Sequence, residues 1–349
     1  MIKKLMELSN AGGISGFEYT VTPVIEKLLS KYCDKVNKDV SGNVIGYIYS
    51  EVKNAPTVMI EAHTDGIGLM VKDIDERGFI TFVTIGGVDP RILPAAEVVV
   101  CGKRELYGVI AARAPHLIAA DEQNAGVKIE NLAVDVGMSN HEVAEIVTPG
   151  DMIYFKTEAV KLLNKKLSGK YLDDRAGVIA LVMALDELKG KKLPFNLAVL
   201  CAVQEEVGLR GAVTGSYNVD PACAIVIDVC HGTTPDSGSA TTFKLGTGTV
   251  ITCGPNIDRR MFEIAKKIAD EKKIKYSIEA ESGHTGTDAW VVQTTRLGVA
   301  TLLLSIPLRY MHTTVETLSM KDVEATAKLI AHTLMNLDTE EFTLCTLKN

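Results

Sequence analysis

Residues 197–203 form an uninterrupted apolar run that ends just before two adjacent carboxylates, Glu205 and Glu206. A run of this length, bounded by polar and glycine residues, predicts a strand that is buried on both faces within a sheet. Consecutive side chains leave a strand in opposite directions, so the two glutamates are not expected to share one task. In one interpretation, one carboxylate holds a cation while the other transfers a proton. In the alternative they form a solvated acidic pair, the commoner fate of adjacent glutamates, and the rest of the chain must decide.

Length, charge and cysteine content limit the classes of function. The chain has 349 residues, 46% of them hydrophobic, which predicts two domains, one inserted in the other. The net charge of −7 argues against nucleic acid or an anionic membrane as the main partner. No apolar stretch approaches the roughly 20 residues of a membrane span, and the N-terminal segment lacks a signal core. The 7 cysteines are irregularly spaced without a Cys-x-x-Cys motif, which predicts reduced thiols in a cytoplasmic protein.

The pattern of apolar runs changes twice along the chain. Residues 57–62 predict a buried strand that ends at His63, and after residue 164 strands at 222–228 and 299–304 alternate with helical segments. Between these regions, short alternating runs separated by turns predict a small β-barrel or sandwich. We therefore predict an α/β catalytic domain over residues 1–70 and 164–349, with a mainly parallel central sheet flanked by helices. An inserted β-rich domain is predicted over residues 71–163.

Residues with metal-binding side chains stand at or near the predicted strand ends. They are His63, Asp65, Glu205, Glu206, Asp228 and His312, with Asp173 just before a helix. Open α/β sheets form their sites beyond the carboxyl ends of the strands, so these side chains can converge. Histidine and carboxylate ligands without cysteine suit Zn, Co or Mn, and their number fits two metals bridged by Asp173, with Glu205 free to take a proton. Taken singly, each residue has a simpler explanation, such as a helix N-cap for Asp173, so the pattern alone leaves both interpretations open.

Six short motifs occur in an order that resembles a known enzyme family. They lie at residues 63–65 (His-Thr-Asp), 172–177 (Leu-Asp-Asp-Arg-Ala-Gly), 204–212, 228–229, 286–289 (Gly-Thr-Asp-Ala) and 306–313. Together with Gly86-Gly87 and residues 115–117 (Pro-His-Leu), they make essentially the whole chain similar to the dinuclear metallo-aminopeptidases that assemble into tetrahedral particles. Glutamyl and leucyl aminopeptidases belong to this family, and some members are named endoglucanase M or cellulase M.

The resemblance implies a role for each candidate residue. The implied metal ligands are His63 and Asp228 for one ion, Glu206 and His312 for the other, and Asp173 as the bridge. Glu205 would be the general base, and Asp65 would orient His63 through a hydrogen bond to its imidazole. The implied cofactors are two divalent metal ions per subunit, Zn or Co, and the implied assembly is a homo-oligomer, a tetrahedral dodecamer in which the inserted domain takes part.

Three positions depart from the family's usual residues. Gly66 stands where glutamate is common, Val88 where an aromatic residue is common, and Thr314 where proline or serine is usual. None of these departures removes an expected ligand. Gly66 adjoins the His63 loop, so it puts the rigidity of that loop or the substrate preference in question rather than the chemistry.

The predicted function is removal of N-terminal residues from short peptides by water activated by two metal ions, with Glu205 as general base. An endo-glycosidase using two carboxylates is the first alternative, but it leaves His63 and His312 unexplained, and one Trp with 5% aromatic residues offers few sugar-binding platforms. A dinuclear deacetylase or carboxypeptidase and a non-enzymatic assembly module are further alternatives. His231 and His284 are weaker candidates for the pocket, whereas His116, His141 and His332 are predicted to be structural or surface residues.

Overall fold

The computed structural model describes residues 1–112, 114, 126–237 and 242–337 of the chain. The motif at residues 115–117, with His116, lies outside the described residues. The helices are α1 (Ile2–Asn10), α2 (Thr22–Leu29), α3 (Asn140–Ala144), α4 (Leu172–Leu188), α5 (Arg210–Val219), α6 (Arg259–Lys272), α7 (Ala289–Val292) and α8 (Met320–Asn336). The strands are β1 (Lys35–Lys38), β2 (Val44–Ile48), β3 (Thr57–His63), β4 (Gly68–Ile74), β5 (Ile80–Ile85), β6 (Glu97–Cys101), β7 (Glu105–Ala111), β8 (Ala133–Asp135), β9 (Met152–Phe155), β10 (Val160–Leu162), β11 (Lys166–Gly169), β12 (Asn196–Ala202), β13 (Cys223–His231), β14 (Thr249–Cys253), β15 (Tyr276–Ala280), β16 (Ala300–Arg309) and β17 (Glu316–Ser319).

The main sheet has the order β1-β2-β12-β3-β13-β16-β17-β11-β10, and β14 and β15 branch from β16. Its four central strands, β12, β3, β13 and β16, are parallel, while the strands at both margins pair antiparallel. The apolar run that predicted a buried strand is β12, which is buried from its second residue to its last. The predicted α/β class with a parallel sheet centre is therefore confirmed.

Helices cover both faces of this sheet, because alternate residues of each central strand point to opposite sides. On one face Ile60 and Ile227 pack in a core with α4 and α8, and on the other Met59 and Val226 pack in a core with α5 and α7. Helix α4 is buried on nearly every side because it lies between the sheet, α8 and α1. The carboxyl ends of the parallel strands are left uncovered by these helices, and the candidate site lies there.

Strands β4, β5, β8, β7, β6 and β9 form a closed barrel in that order, with its own apolar core. Helix α3 begins with a capping box in which Ser139 and Glu142 satisfy each other's backbone N–H groups. The inserted β-barrel is thus confirmed as part of the fold. The limits of the two domains at residues 71 and 163, and the role of the barrel in assembly, stay predictions.

Some element bounds differ from those expected. Strand β13 continues to His231 and β16 to Arg309, because their parallel ladder extends as far as the His231–Leu308 pair. Asp228 therefore lies inside a strand rather than at its end. Pro23 lies in the first turn of α2, where its missing N–H costs no helical hydrogen bond. None of the helices in the described ranges is long and apolar enough to cross a membrane.

Candidate metal centre

Six of the seven candidate residues line one cavity of about 700 Å³ at the carboxyl ends of the central strands, and the seventh, Asp65, lies next to His63. They are carried by separate parts of the fold. His63 is the last residue of β3, Asp228 lies in β13, and Asp173 lies in the irregular first turn of α4. Glu205 and Glu206 follow β12, and His312 lies between β16 and β17. Residues distant in the sequence thus meet at one edge of the sheet, as the strand-end argument predicts.

The first cluster consists of His63, Asp173 and Asp228, all buried. Nε2 of His63 is 3.1 Å from Oδ1 of Asp173 and 3.9 Å from Oδ1 of Asp228. One potential ligand atom from each residue lies within 4.8 Å of the others. The three side chains therefore surround a single point, as ligands of one ion must.

The second cluster consists of Asp173, Glu206 and His312, whose potential ligand atoms also lie within 4.8 Å of one another. Nε2 of His312 is 3.2 Å from Oε2 of Glu206 and 3.6 Å from Oδ2 of Asp173. Asp173 therefore offers one carboxylate oxygen to each cluster. This is the geometry that a bridging carboxylate requires.

The spacing and chemistry of these groups fit divalent cations. Ligands about 2.1 Å from a tetrahedral zinc ion lie about 3.4 Å apart, close to the observed contacts of 3.1 to 3.9 Å. Burial and the charge of Asp173 raise the pKa of Asp228 well above its ordinary value, against the effect of His63. The same two causes raise the pKa of Glu206, against the effects of His312 and His63. The hydrogen bond to Glu206 raises the pKa of His312 to about 9. Crowded carboxylates of this kind need protons or cations to neutralise them.

Asp65 links His63 to the two glutamates. Its Oδ1 atom is 3.6 Å from Nδ1 of His63 and accepts a hydrogen bond from the backbone N–H of Glu205 at 3.0 Å. Its Oδ2 atom accepts from the Glu206 N–H at 3.2 Å and from the Ser15 hydroxyl at 2.5 Å. Burial works to lower the pKa of His63, but the hydrogen bond to Asp173 and the nearby carboxylate of Asp65 raise it well above its usual value. Asp65 can thus hold the imidazole and the loop after β12 in one arrangement.

Glu205 lines the cavity with 9% of its surface exposed. Burial, together with the charges of Asp228 and Asp288 and against the effect of His63, raises its pKa to about 11. The loop that carries it leaves β12 with Gln204 in the left-handed region at φ 55°. The loop is closed by a hydrogen bond from Gly211 N–H to the Val203 carbonyl at 2.9 Å. A Cβ at position 211 would lie 2.2 Å from that carbonyl oxygen, so this close approach requires glycine.

The barrel contributes one wall of the centre. Nδ1 of His312 is 3.1 Å from the carbonyl oxygen of Gly87, which follows β5. A Cβ on Gly87 would lie 2.7 Å from the same ring nitrogen, and one on Gly86 would lie 3.4 Å from Cβ of Glu206. Gly86-Gly87 therefore allows the barrel to approach the second cluster.

The departure at Gly66 has a structural counterpart. A Cβ at this position would lie 2.4 Å from the ring of Tyr171, which is 2% exposed and stacks against the guanidinium of Arg175. The ring of Tyr171 fills the space that a glutamate side chain would need. Glycine at position 66 therefore leaves room for the buried Tyr171 ring next to the residues that follow His63.

The sequence did not indicate Glu316, which fixes the backbone around the centre. Its buried carboxylate accepts from the N–H groups of Leu172 at 2.7 Å and Asp173 at 3.2 Å through Oε2, and from His312 N–H at 3.0 Å through Oε1. Burial and the charge of Asp173 raise the pKa of Glu316. Its only signal in the sequence was a charged residue four positions after His312, in a segment without clear periodicity.

The remaining histidines that the structure describes divide as the sequence suggested. His231 and His284 line the cavity, and the ring of His284 lies 4.4 Å from that of Trp290. The side chain of His141 is 85% exposed, and His332 is paired with Glu187 at 3.3 Å, on α8. His116 lies outside the described residues.

The chain is an α/β protein with two candidate metal-ligand clusters at its strand ends, and comparison with known proteins gives the family. The model of the family described as M42 glutamyl aminopeptidase matches residues 42–329. The chain belongs to this M42 family. The expected aminopeptidase family is thereby confirmed.

The relatives agree over nearly the whole chain. A lysyl aminopeptidase of Pyrococcus furiosus is 36% identical over 98% of each chain. A crystal structure of a TET aminopeptidase from a marine sediment Thaumarchaeota archaeon has a TM-score of 0.92 and 30% identity, covering 98% of this chain and 99% of that one. A Pyrococcus horikoshii TET1 peptidase, which can assemble into a tetrahedron or a large octahedral shell, has a TM-score of 0.84 and 33% identity, covering 96% of this chain and 99% of that one.

Proposed function

We propose that the chain is a metal-dependent aminopeptidase that removes N-terminal residues from short peptides. The observation that carries the proposal is the sharing of Asp173 between two ligand clusters in the cavity that Glu205 also lines. The proposed ligands are His63, Asp173 and Asp228 for one divalent ion and Asp173, Glu206 and His312 for the other, with Zn or Co as the metals. Membership of the aminopeptidase family supports this assignment.

The metal ions, when bound, lower the pKa of a water molecule and polarise the scissile carbonyl group. Glu205 accepts the proton of the attacking water and then returns it to the nitrogen of the departing peptide. Burial and the neighbouring carboxylates raise the pKa of Glu205, and cations bound beside it would favour the charged form that a base requires. Asp65 is not a base in this scheme, since it holds His63 and the N–H groups of Glu205 and Glu206 in place.

The proposal is tested by removing metal with a chelator, restoring Zn or Co, and screening aminoacyl-p-nitroanilides. N-acetylated peptides and carboxymethylcellulose serve as substrates that should remain intact. We expect hydrolysis only of substrates with a free α-amino group, abolished by chelation and restored by metal. Cleavage of carboxymethylcellulose that survives chelation would favour a glycosidase, and cleavage of acetylated peptides would favour a deacetylase or carboxypeptidase.

We further propose that the chain forms a homo-oligomer, a tetrahedral dodecamer, with the inserted domain over residues 71–163 taking part in the contacts between subunits. The support is its similarity over almost the full length to the TET1 peptidase of P. horikoshii. Light scattering after size-exclusion chromatography should give a particle twelve times the mass of one chain. A monomer at micromolar concentration would contradict this part of the proposal.

A further inference from the structure

The cavity of the proposed metal centre has a second acidic wall, formed by Glu279 and Glu281. Glu279 lies in β15, and Glu281 follows this strand with its N–H bonded to the Cys253 carbonyl at 2.9 Å. Residues two apart on an extended chain point to the same side. Accordingly Ile278, before Glu279, and Ala280, between the two glutamates, are exposed. Both glutamates are half-buried and line the cavity.

Strand pairing places this wall at a distance from the metal ligands. Asp228 of β13 pairs with Ser305 of β16, Ser305 pairs with Val250 of β14, and β14 pairs with β15. Strand β15 is therefore three strand spacings from Asp228, roughly 14 Å across the sheet. The cavity extends over this distance, which gives room for a long side chain of a substrate whose backbone lies at the metals.

The wall is rich in negative charge that the metal centre does not use. The described residues that line the cavity include the carboxylates of the centre, the two wall glutamates and four histidines, but no lysine or arginine. Two divalent ions would offset the four carboxylates of Asp173, Glu205, Glu206 and Asp228. Among the described residues that line the cavity, no lysine or arginine offsets the charge of Glu279, whose pKa is raised by burial and by the charge of Glu281 against the effect of Thr252. A positive group entering the cavity would relieve this repulsion.

An aromatic ring accompanies the two carboxylates. Trp290 also lines the cavity, is 37% exposed, and is held on one side by His284, whose ring centroid is 4.4 Å away. Indole faces attract ammonium and guanidinium groups, and they also pack against the methylene groups of lysine and arginine. The wall thus combines two independent features that suit a long cationic side chain.

We propose that Glu279, Glu281 and Trp290 form the subsite for the side chain of the N-terminal residue and select lysine or arginine there. This inference rests on the proposed aminopeptidase function. The same charges could attract the α-amino group that every substrate carries, but that group is fixed near the scissile bond and hence near the metals. Only a side chain reaches the β15 wall.

The test compares kcat/KM for p-nitroanilides of lysine, arginine, norleucine and glutamate with metal-loaded enzyme. Norleucine has nearly the shape of lysine without its charge. We expect lysine to exceed norleucine by at least about tenfold, since hydrogen bonds to charged groups contribute about 1.5–3 kcal/mol. In Glu279→Gln and Glu281→Gln the ratio of the lysine kcat/KM to the norleucine kcat/KM should fall about 10- to 100-fold, because norleucine has no charge for these carboxylates to bind. Glu271→Gln, at a 57% exposed position on α6, is the matched control and should change neither value.

Glu281→Lys gives a second test, because a reversed charge should lower the lysine value further and raise that of glutamate. A lysine-to-norleucine ratio near one, or a ratio unchanged in both variants, would overturn the subsite. An equal loss for all substrates would assign the glutamates to the α-amino group and would also overturn it. Absence of hydrolysis of every aminoacyl substrate after metal loading would instead refute the proposed function itself.

Discussion

Glu205 and Glu206 are adjacent in the chain but face different partners. Oε2 of Glu206 is 3.2 Å from His312, whereas the pKa of Glu205 responds, after burial, to His63 and Asp228. The sequence argument derived this separation from the alternation of side chains along a strand. Strand β12 ends at Ala202, however, so the separation arises from a loop with Gln204 in the left-handed region and both N–H groups bound to Asp65. The two side chains therefore diverge for a different physical reason, and their separate tasks stay a prediction.

Replacing Glu205 by glutamine tests its role as the base. Glutamine has the same shape but cannot accept a proton at neutral pH, so kcat should fall by about 10²- to 10⁴-fold. Both metals should remain bound, since Glu205 belongs to neither ligand cluster. Metal content by mass spectrometry and kcat with an aminoacyl-p-nitroanilide check both points. Near wild-type turnover in Glu205→Gln would exclude it as the base.

Glu316→Gln tests a residue that acts through the ligands. Its carboxylate accepts three backbone N–H groups, and an amide would turn its NH₂ group toward at least one of them. The backbone of Asp173 and His312 should then shift, and metal affinity should fall about 10- to 100-fold. The measurement is the metal dissociation constant from competition with a chelator, with Glu324→Gln, 41% exposed on α8, as control. An unchanged affinity would show that Glu316 does not position the ligands.

At the scale of elements, local sequence patterns predicted the parallel strands, the long helices and the barrel. They did so because buried strands and amphipathic helices carry their periodicity in consecutive residues. Contacts between distant segments have no such signal, which is why Glu316 and the hydrogen bonds of Asp65 to the Glu205 and Glu206 N–H groups and to Ser15 were missed. The Asp173-Asp174 pair was predicted only in part. An N-cap was expected at Asp173, but it is Asp174 that accepts the Gly177 N–H at 3.0 Å, while Asp173 belongs to both clusters.

Arg175 shows how one buried side chain joins several elements. Its guanidinium is fully buried beneath the centre, and burial lowers its pKa to about 10, so it stays charged at neutral pH. Its N–H groups donate to five backbone carbonyls, those of Leu8, Ala11, Gly12, Gly13 and Thr64. The start of α4 is thereby fixed to the end of α1, to Gly12 and Gly13 that follow it, and to the loop after His63.

Arg175→Lys should destabilise the protein although it keeps the charge. Lysine has three donors on one nitrogen, so at least two of the carbonyls lose their partner, at about 1–3 kcal/mol each. We expect the free energy of unfolding to fall by about 2–6 kcal/mol. Urea unfolding of Arg175→Lys beside Arg77→Lys, a 77% exposed position, measures this. Equal stability of both variants would mean that the carbonyls find other donors.

At the scale of the whole molecule, the barrel and the α/β domain complete the centre together. His312 comes from the main sheet, yet its Nδ1 atom is 3.1 Å from the carbonyl of Gly87 beside the barrel. The sequence could not predict this contact from periodicity, because the two segments are separated by 225 positions. Only the resemblance marked Gly86-Gly87. The barrel therefore shapes the site in addition to any role in assembly.

Lys170 is a second point where separate segments meet, and it makes the stability of the molecule depend on pH. It is 2% exposed in the connection between β11 and α4, and its Nζ atom donates to the Thr157 carbonyl at 2.8 Å and the Asn10 carbonyl at 3.5 Å. Burial and the charge of Arg175, opposed by Glu158, lower its pKa from 10.5 to about 7. Between these values the unfolded chain binds a proton that the folded protein does not.

The free energy of unfolding should therefore rise with pH between about 7 and 10.5, by up to about 1.4 kcal/mol per pH unit from this group. This added stability is lost again as the pH falls towards 7. In Lys170→Met this rise is absent. The free energy of unfolding of the variant minus that of wild type should therefore be highest at pH 7 and lowest near pH 10. Taking the difference between the two proteins at each pH cancels the titration of all other groups. Lys165→Met, 62% exposed, should give a difference that does not vary with pH. A pH-independent difference for Lys170→Met as well would mean that Lys170 keeps its charge on folding, with its ammonium stabilised by the two carbonyls and Glu158.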